Sequence, residues 1–152
     1  MVKNQILCIF QQVPVAVEWH KELEQHFEIV TTIAAPQMDL SESPTADMQT
    51  GSTLDGGTLN AYRLIIVNVS TPTRQTVAFC RQLRARFSGP LLAMVPPVEE
   101  QYLLSLYNVG VDECIDQSIV PRLLVAKVTR WLLWRSHAES NQTSGQDNSS
   151  RR

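Results

Sequence analysis

Three short stretches of the chain are apolar at almost every position: Ile6 to Phe10 (ILCIF), Tyr62 to Val69 (YRLIIVNV) and Leu91 to Val95 (LLAMV). A strand with one wet face alternates apolar and polar residues. A run without alternation suits a strand covered on both faces, as in parallel sheets. Helical patterns lie between the runs. Val15, Trp19, Leu23 and Phe27 recur every four residues, with Glu18, Lys21, Glu22 and Gln25 between them, which predicts an amphipathic helix over Val15 to Phe27. Glu28 to Ala35 is rich in β-branched residues and predicts a second strand. After the Tyr62 run, Thr71 is the expected cap and Pro72 the expected first residue of a helix. Phe79, Leu83 and Phe87 form its buried face, and Arg74, Arg81, Arg84 and Arg86 are expected to reach water. Gly89-Pro90 ends that helix, and Pro96-Pro97 stops the next strand. Glu99 to Val109 predicts a helix with Leu103, Leu106 and Tyr107 on one side and Gly110 as its C-terminal cap. Val111 to Asp116 predicts a fifth strand, and Pro121 to about Ala138 the last helix.

Strands alternating with helices define an α/β, three-layer architecture with a parallel sheet covered on both faces. Right-handed crossovers favour the flavodoxin-like order 2-1-3-4-5 for five strands. Two segments stand outside this pattern. Pro36 to Asn60, with the linker-like stretch TGSTLDGGT inside it, has no sustained periodicity and predicts a long flexible loop where a second helix would otherwise fall. Residues 139–152 are Ser, Asn, Gln and charge, and predict a disordered tail or a linker. The domain itself is expected over residues 1–138.

The totals bound the function. The 152 residues include 43% hydrophobic and 18% charged ones, enough for one real core. With 13 basic and 15 acidic residues, the net charge of −2 gives no reason to expect nucleic acid as this domain's partner. Cys8, Cys80 and Cys114 each lie in an apolar context, and no pair has metal-ligand spacing. They are read as reduced, buried thiols. No charged segment followed by a long apolar run opens the chain, and no apolar run is of spanning length, so a cytoplasmic protein without membrane contact is expected.

The order of landmarks resembles the receiver domain of two-component response regulators, from Ile6 to about Trp134. ILCIF-QQ stands where receivers carry a strand ending in an acidic pair. LIIVNVS stands where they carry the strand ending in the phosphoacceptor aspartate. FCRQLRARFSGPLLAMVPP matches a receiver helix, turn and fourth strand, and NVGVDECIDQSIVPRLLVAKV its last strand and helix. The resemblance implies a site of five positions. The acidic pair falls on Phe10 and Gln11 (Gln11 and Gln12 if the register slips by one), the acceptor on Asn68, the hydroxyl on Val95 and the lysine on Gln117. The usual proline after the lysine falls on Ser118, and the switch aromatic on Cys114. Receiver chemistry needs a carboxylate nucleophile, carboxylate ligands for Mg²⁺ and a lysine to hold the phosphoryl group. None of these groups is present at the matching positions. The resemblance therefore implies an inert, metal-free receiver with no cofactor and no catalysis.

Other chemistry finds little support. His20, His26 and His137 read as surface residues. Thr71 reads as a helix cap first; phosphorylation at Ser70 or Thr71 is an alternative that no other residue supports. No Gly-rich loop follows the first strand, and no Gly-x-Ser-x-Gly elbow is present. Asp112, Glu113 and Asp116 read as a solvated acidic cluster. The last helix is the most informative surface. Leu123, Leu124, Val128, Trp131 and Leu132 form its expected core stripe, which leaves Val125, Leu133 and Trp134 outside. Receivers commonly engage partners through their fourth helix, fifth strand and fifth helix. The resemblance carries that interface to Tyr102, Tyr107, Val125, Trp131 and Trp134, residue types favoured at binding hot spots. The expected function is a dimerisation or protein-docking module in bacterial signal transduction or transcriptional regulation. The alternative is a small-molecule sensor that uses the neutral pocket around Asn68 and Gln117.

Overall fold

The computed structural model describes residues 5–12, 17–34 and 59–134. Five strands are present: β1 (Gln5–Phe10), β2 (Glu28–Ile33), β3 (Leu64–Asn68), β4 (Leu91–Val95) and β5 (Glu113–Asp116). They form one sheet in the order β2-β1-β3-β4-β5. Every pairing is parallel, with Phe10 beside both Ile33 and Asn68, Asn68 beside Met94, and Val95 beside Asp116. The order is the flavodoxin-like one that the sequence predicts. The expected loop lies almost wholly outside the described residues, as does the expected tail. At the loop's far end Leu59 is fully buried. The Asn60 amide donates to the Arg86 carbonyl and accepts the Ser88 N–H, both at 3.2 Å.

The helices are α1 (Glu18–His26), α2 (Arg74–Arg86), α3 (Glu100–Asn108) and α4, helical over 121–134. Two apolar layers sandwich the sheet because side chains alternate along each buried strand. Leu7, Ile9, Ile65, Val67, Leu91 and Ala93 face Phe79, Leu83 and Phe87 of the α2 region and Leu106 of α3. Ile6, Cys8, Leu64, Ile66, Leu92 and Met94 face Trp19 and Leu23 of α1 and Leu124, Val128 and Leu132 of α4. Each such buried Leu or Ile contributes roughly 1.5–3 kcal/mol over its exposed state. The unbroken apolar runs thus account for both layers.

Several local expectations are corrected. The cap of α2 is Thr73, not Thr71: its hydroxyl accepts the Thr76 N–H at 3.2 Å, so the helix starts at Arg74 and Pro72 stays outside it. Leu123 is 52% exposed and leaves the core stripe, because the sheet meets α4 through Leu124, Val128 and Leu132. Arg84 does not simply reach water. Its guanidinium donates to the carbonyls of Gly110, Phe87 and Gly89 and to the Asp112 carboxylate. Asp112 also accepts the Leu91 N–H at 2.8 Å. Together they staple the amino end of the sheet. Gly110 has φ +113°, and a Cβ there would come within 2.3 Å of Arg84 Cγ, so only glycine lets the arginine stem pass. None of the three acids is merely solvated. Glu113 accepts from Lys127 Nζ at 3.0 Å and Trp131 Nε1 at 3.1 Å, clasping β5 to α4.

Candidate functional site

Ligand sites in open parallel sheets form beyond the carboxyl ends of the strands. In this chain Phe10, Asn68, Val95 and Asp116 end β1, β3, β4 and β5. Phe10 does not enter the site. It turns into the core and stacks on Trp19, with ring centroids 5.8 Å apart. Gln11, one residue on, is 6% exposed and is the polar side chain that β1 contributes. Its Oε1 accepts the backbone N–H groups of Ser70 (2.7 Å) and Thr71 (3.1 Å). Its Nε2 donates to Thr76 Oγ1 at 2.7 Å. The orientation of the amide is fixed by its partners, two donors on one side and a hydroxyl oxygen on the other. Gln12 is exposed.

The chain of bonds continues through two threonines. The Thr76 hydroxyl donates to the Thr71 carbonyl at 3.0 Å, so the Thr73 hydroxyl donates to Thr76 Oγ1 at 3.1 Å. Tyr102 on α3 closes it, donating to the Thr73 carbonyl at 3.0 Å. Burial is the main reason the Tyr102 phenol is raised above its ordinary range.

Gln117 occupies the other half. Its backbone N–H donates to the Val95 carbonyl at 3.0 Å. Asp116 Oδ1 accepts both the N–H (2.8 Å) and the hydroxyl (2.7 Å) of Ser118, which fixes the turn that aims Gln117 inward. Those two bonds, the backbone one first, hold the exposed Asp116 carboxyl below its usual range. Gln117 Nε2 lies 3.1 Å from Asn68 Oδ1, 2.8 Å from the Val69 carbonyl and 3.3 Å from the Met94 carbonyl. Two N–H hydrogens are shared among three oxygens. Val95 is buried and adds no hydroxyl. The structure therefore joins Asn68 to Gln117, commits Gln11 to the β3–α2 loop, and sends Phe10 to the core.

The receiver fold implies Mg²⁺, and the residues present do not fit it. A hard cation wants carboxylate oxygens. Here Gln11 Oε1 already accepts two backbone N–H groups and Asn68 Oδ1 already faces an NH₂ group. Among the described residues no group of three or more His, Cys, Asp or Glu side chains is placed to hold a metal ion. Asn68 carries an amide, which is no nucleophile for phosphoryl transfer. Two described cavities lie elsewhere, and neither touches Asn68 or Gln117.

The residues expected at an interface fall in different places. Trp131 and Trp134 meet edge to face, 5.7 Å between centroids. Trp131 is half-buried, whereas Trp134 is 62% exposed beside the exposed Leu133. Val125 is half-buried against the core. Tyr107 is exposed on α3, and its phenol oxygen accepts the Cys114 N–H at 3.0 Å. Tyr102 faces α2 rather than the tryptophans. The sequence reading missed Thr73, Thr76 and the Arg84 staple. Threonine is a favoured cap residue, a signal that Thr73 shares with Thr71.

Solved structures match this architecture. A two-component response regulator from Clostridium difficile aligns over 88% of this chain and 98% of its own, with a TM-score of 0.63 at 20% identity. The activated receiver domain of Klebsiella pneumoniae RstA aligns over 85% and 98%, with a TM-score of 0.59 at 19% identity. A pilus assembly-related protein from Burkholderia pseudomallei aligns over 86% and 90%, with a TM-score of 0.61 at 13% identity. No protein-family model and no curated protein matches the chain by sequence. The chain is a receiver-fold domain. Among the described residues no helix is long and apolar enough to cross a membrane.

Proposed function

We propose that this domain is a phosphorylation-independent pseudo-receiver that acts by protein contact, as a dimerisation or docking module in bacterial signal transduction or transcriptional regulation. The observation that carries this reading is the state of the three site amides. Gln11, Asn68 and Gln117 are uncharged: both ends of the Gln11 amide are bonded to Thr76 and the backbone, and Gln117 Nε2 is bonded to Asn68 Oδ1 and to backbone carbonyls. A site built this way has no use for a phosphodonor, and the domain is not an enzyme. What remains to act is surface. Leu133 and Trp134 at the end of α4 are 57% and 62% exposed, and aromatic residues of that kind anchor interfaces.

Light scattering of the purified chain and of Trp134→Ala tests this. A wild-type dimer that the variant loses is the expected result. A monomer in both cases overturns self-association through α4.

A further inference from the structure

Helix α2 carries four arginines and no acidic residue. Arg84 is spent on the Asp112 staple. Arg74 and Arg81 are exposed, and neither makes an ion pair among the described residues. They stand seven positions apart, two helical turns or about 10 Å, on one face of the helix. Val77 and Ala78 lie between them and give that face an apolar middle. Tyr102 of α3 forms the facing wall, and the space enclosed is a groove of about 490 Å³. Glu99 is the one carboxylate that lines it.

This groove sits on the opposite face of the sheet from α4, because α2 and α3 cover one apolar layer and α4 the other. Two cations about 10 Å apart across an apolar strip ask for a ligand with two anions at that spacing and apolar groups between. A single phosphate or carboxylate reaches only one of them. A nucleic acid meets the carboxylates of Glu99 and Glu100 and a net charge of −2. We propose that the α2–α3 groove docks an acidic, amphipathic segment of a partner protein. Its carboxylates pair with Arg74 and Arg81, and its apolar side chains cover Val77, Ala78 and the Tyr102 ring. The occupant also presses on the candidate site, since Tyr102 is bonded to Thr73, and Thr73 to the Thr76–Gln11 chain. The proposal stands apart from dimerisation through α4.

The test titrates the full ¹⁵N-labelled chain with a synthetic helical peptide carrying glutamates seven residues apart and leucine or alanine between them. Saturable shifts at Arg74, Val77, Ala78, Arg81 and Tyr102 are expected. Arg74→Glu/Arg81→Glu is expected to weaken binding about tenfold or more and to bind a lysine-for-glutamate peptide instead. Ala78→Trp, which fills the groove without changing its charge, is expected to weaken the glutamate peptide as well. Thermal melts check that both variants fold. No binding, binding that is unchanged in both variants, or tighter binding of a DNA duplex at the same residues would each overturn the proposal. So would a tenfold gain in affinity when Asp39, Glu42, Asp47 and Asp55 are neutralised, since the chain's own acidic stretch would then be the occupant.

Discussion

Gln11 follows β1, yet its amide is bonded to residues 59 to 65 positions further along the chain. Removing it leaves the Ser70 and Thr71 N–H groups without that acceptor and takes one donor from the Thr76 hydroxyl. Gln11→Ala is expected to cost about 2–4 kcal/mol in chemical denaturation. It should also speed hydrogen exchange at the Ser70 and Thr71 amides. Gln11→Glu keeps an acceptor for both amides and should lose less, so the two variants separate the role of the oxygen from that of the NH₂ group. Gly110→Ala should cost roughly 2–3 kcal/mol, since the backbone there suits only glycine and the Arg84 stem must move. The thiols give a pH prediction. Burial pushes Cys8 and Cys80 up to about 12, with smaller contributions from Glu24 and from Cys114 respectively, and pushes Cys114 up to about 11. An unfolded thiol ionises near about 8.5. The folded state therefore holds protons that the unfolded state releases above that pH. Stability from these groups is full below about pH 8.5 and is lost as pH climbs toward their folded values. Denaturation midpoints at pH 7, 9 and 10.5 check this, and a midpoint that rises across that series would contradict it.

At the scale of elements, β1, β3 and β4 were legible because burial on both faces leaves an unbroken apolar run, and β2, on the sheet edge, through its β-branched residues. Ile6 to Phe10 and Leu91 to Val95 needed no other signal. The ends were harder. Thr71 and Thr73 are both good caps, and the choice fell to Thr73 because its hydroxyl reaches the Thr76 N–H while Gln11 holds Thr71. The periodicity of α4 placed Leu123 in the core, but where the stripe is cut depends on how the helix lies across β4 and β5. Phe10, Gln11, Asn68, Val95 and Gln117 each fall at a strand end or just beyond, where spacing alone can locate a position but not the direction of its side chain. The bonds were not legible, because Gln11 with Thr76, Arg84 with Asp112 and Glu113 with Trp131 are pairs that only the fold brings together. The Glu113 clasp holds an element rather than the core. Glu113→Ala frees Lys127 and Trp131, both part-exposed, and should cost only about 1 kcal/mol. Tryptophan fluorescence should shift as the Trp131 indole loses its partner.

For the whole molecule, the receiver fold carries amide side chains at Gln11, Asn68 and Gln117, with Gln117 bonded to Asn68 and Gln11 bonded to Thr76 and the backbone. Functional receivers crowd carboxylates into one pocket and bear their mutual repulsion. At the matching positions Phe10, Gln11, Asn68, Val95 and Gln117 this chain carries no carboxylate, so that repulsion does not arise there. On the proposed reading the surface carries the function, through the exposed end of α4 and the arginine-lined groove of α2. Trp134→Ala should change stability by no more than about 0.5 kcal/mol, because the side chain is mostly solvated. Any loss of association is then a surface effect. The most direct measurement is the amide spectrum of the ¹⁵N-labelled chain with and without Mg²⁺ and beryllofluoride, which mimics a phosphorylated aspartate. Unchanged resonances for Asn68, Ser70, Thr71 and Gln117 at saturating concentrations are the predicted result. Saturable shifts at those four residues would show a site that still takes a metal and a phosphoryl group, and would contradict the account.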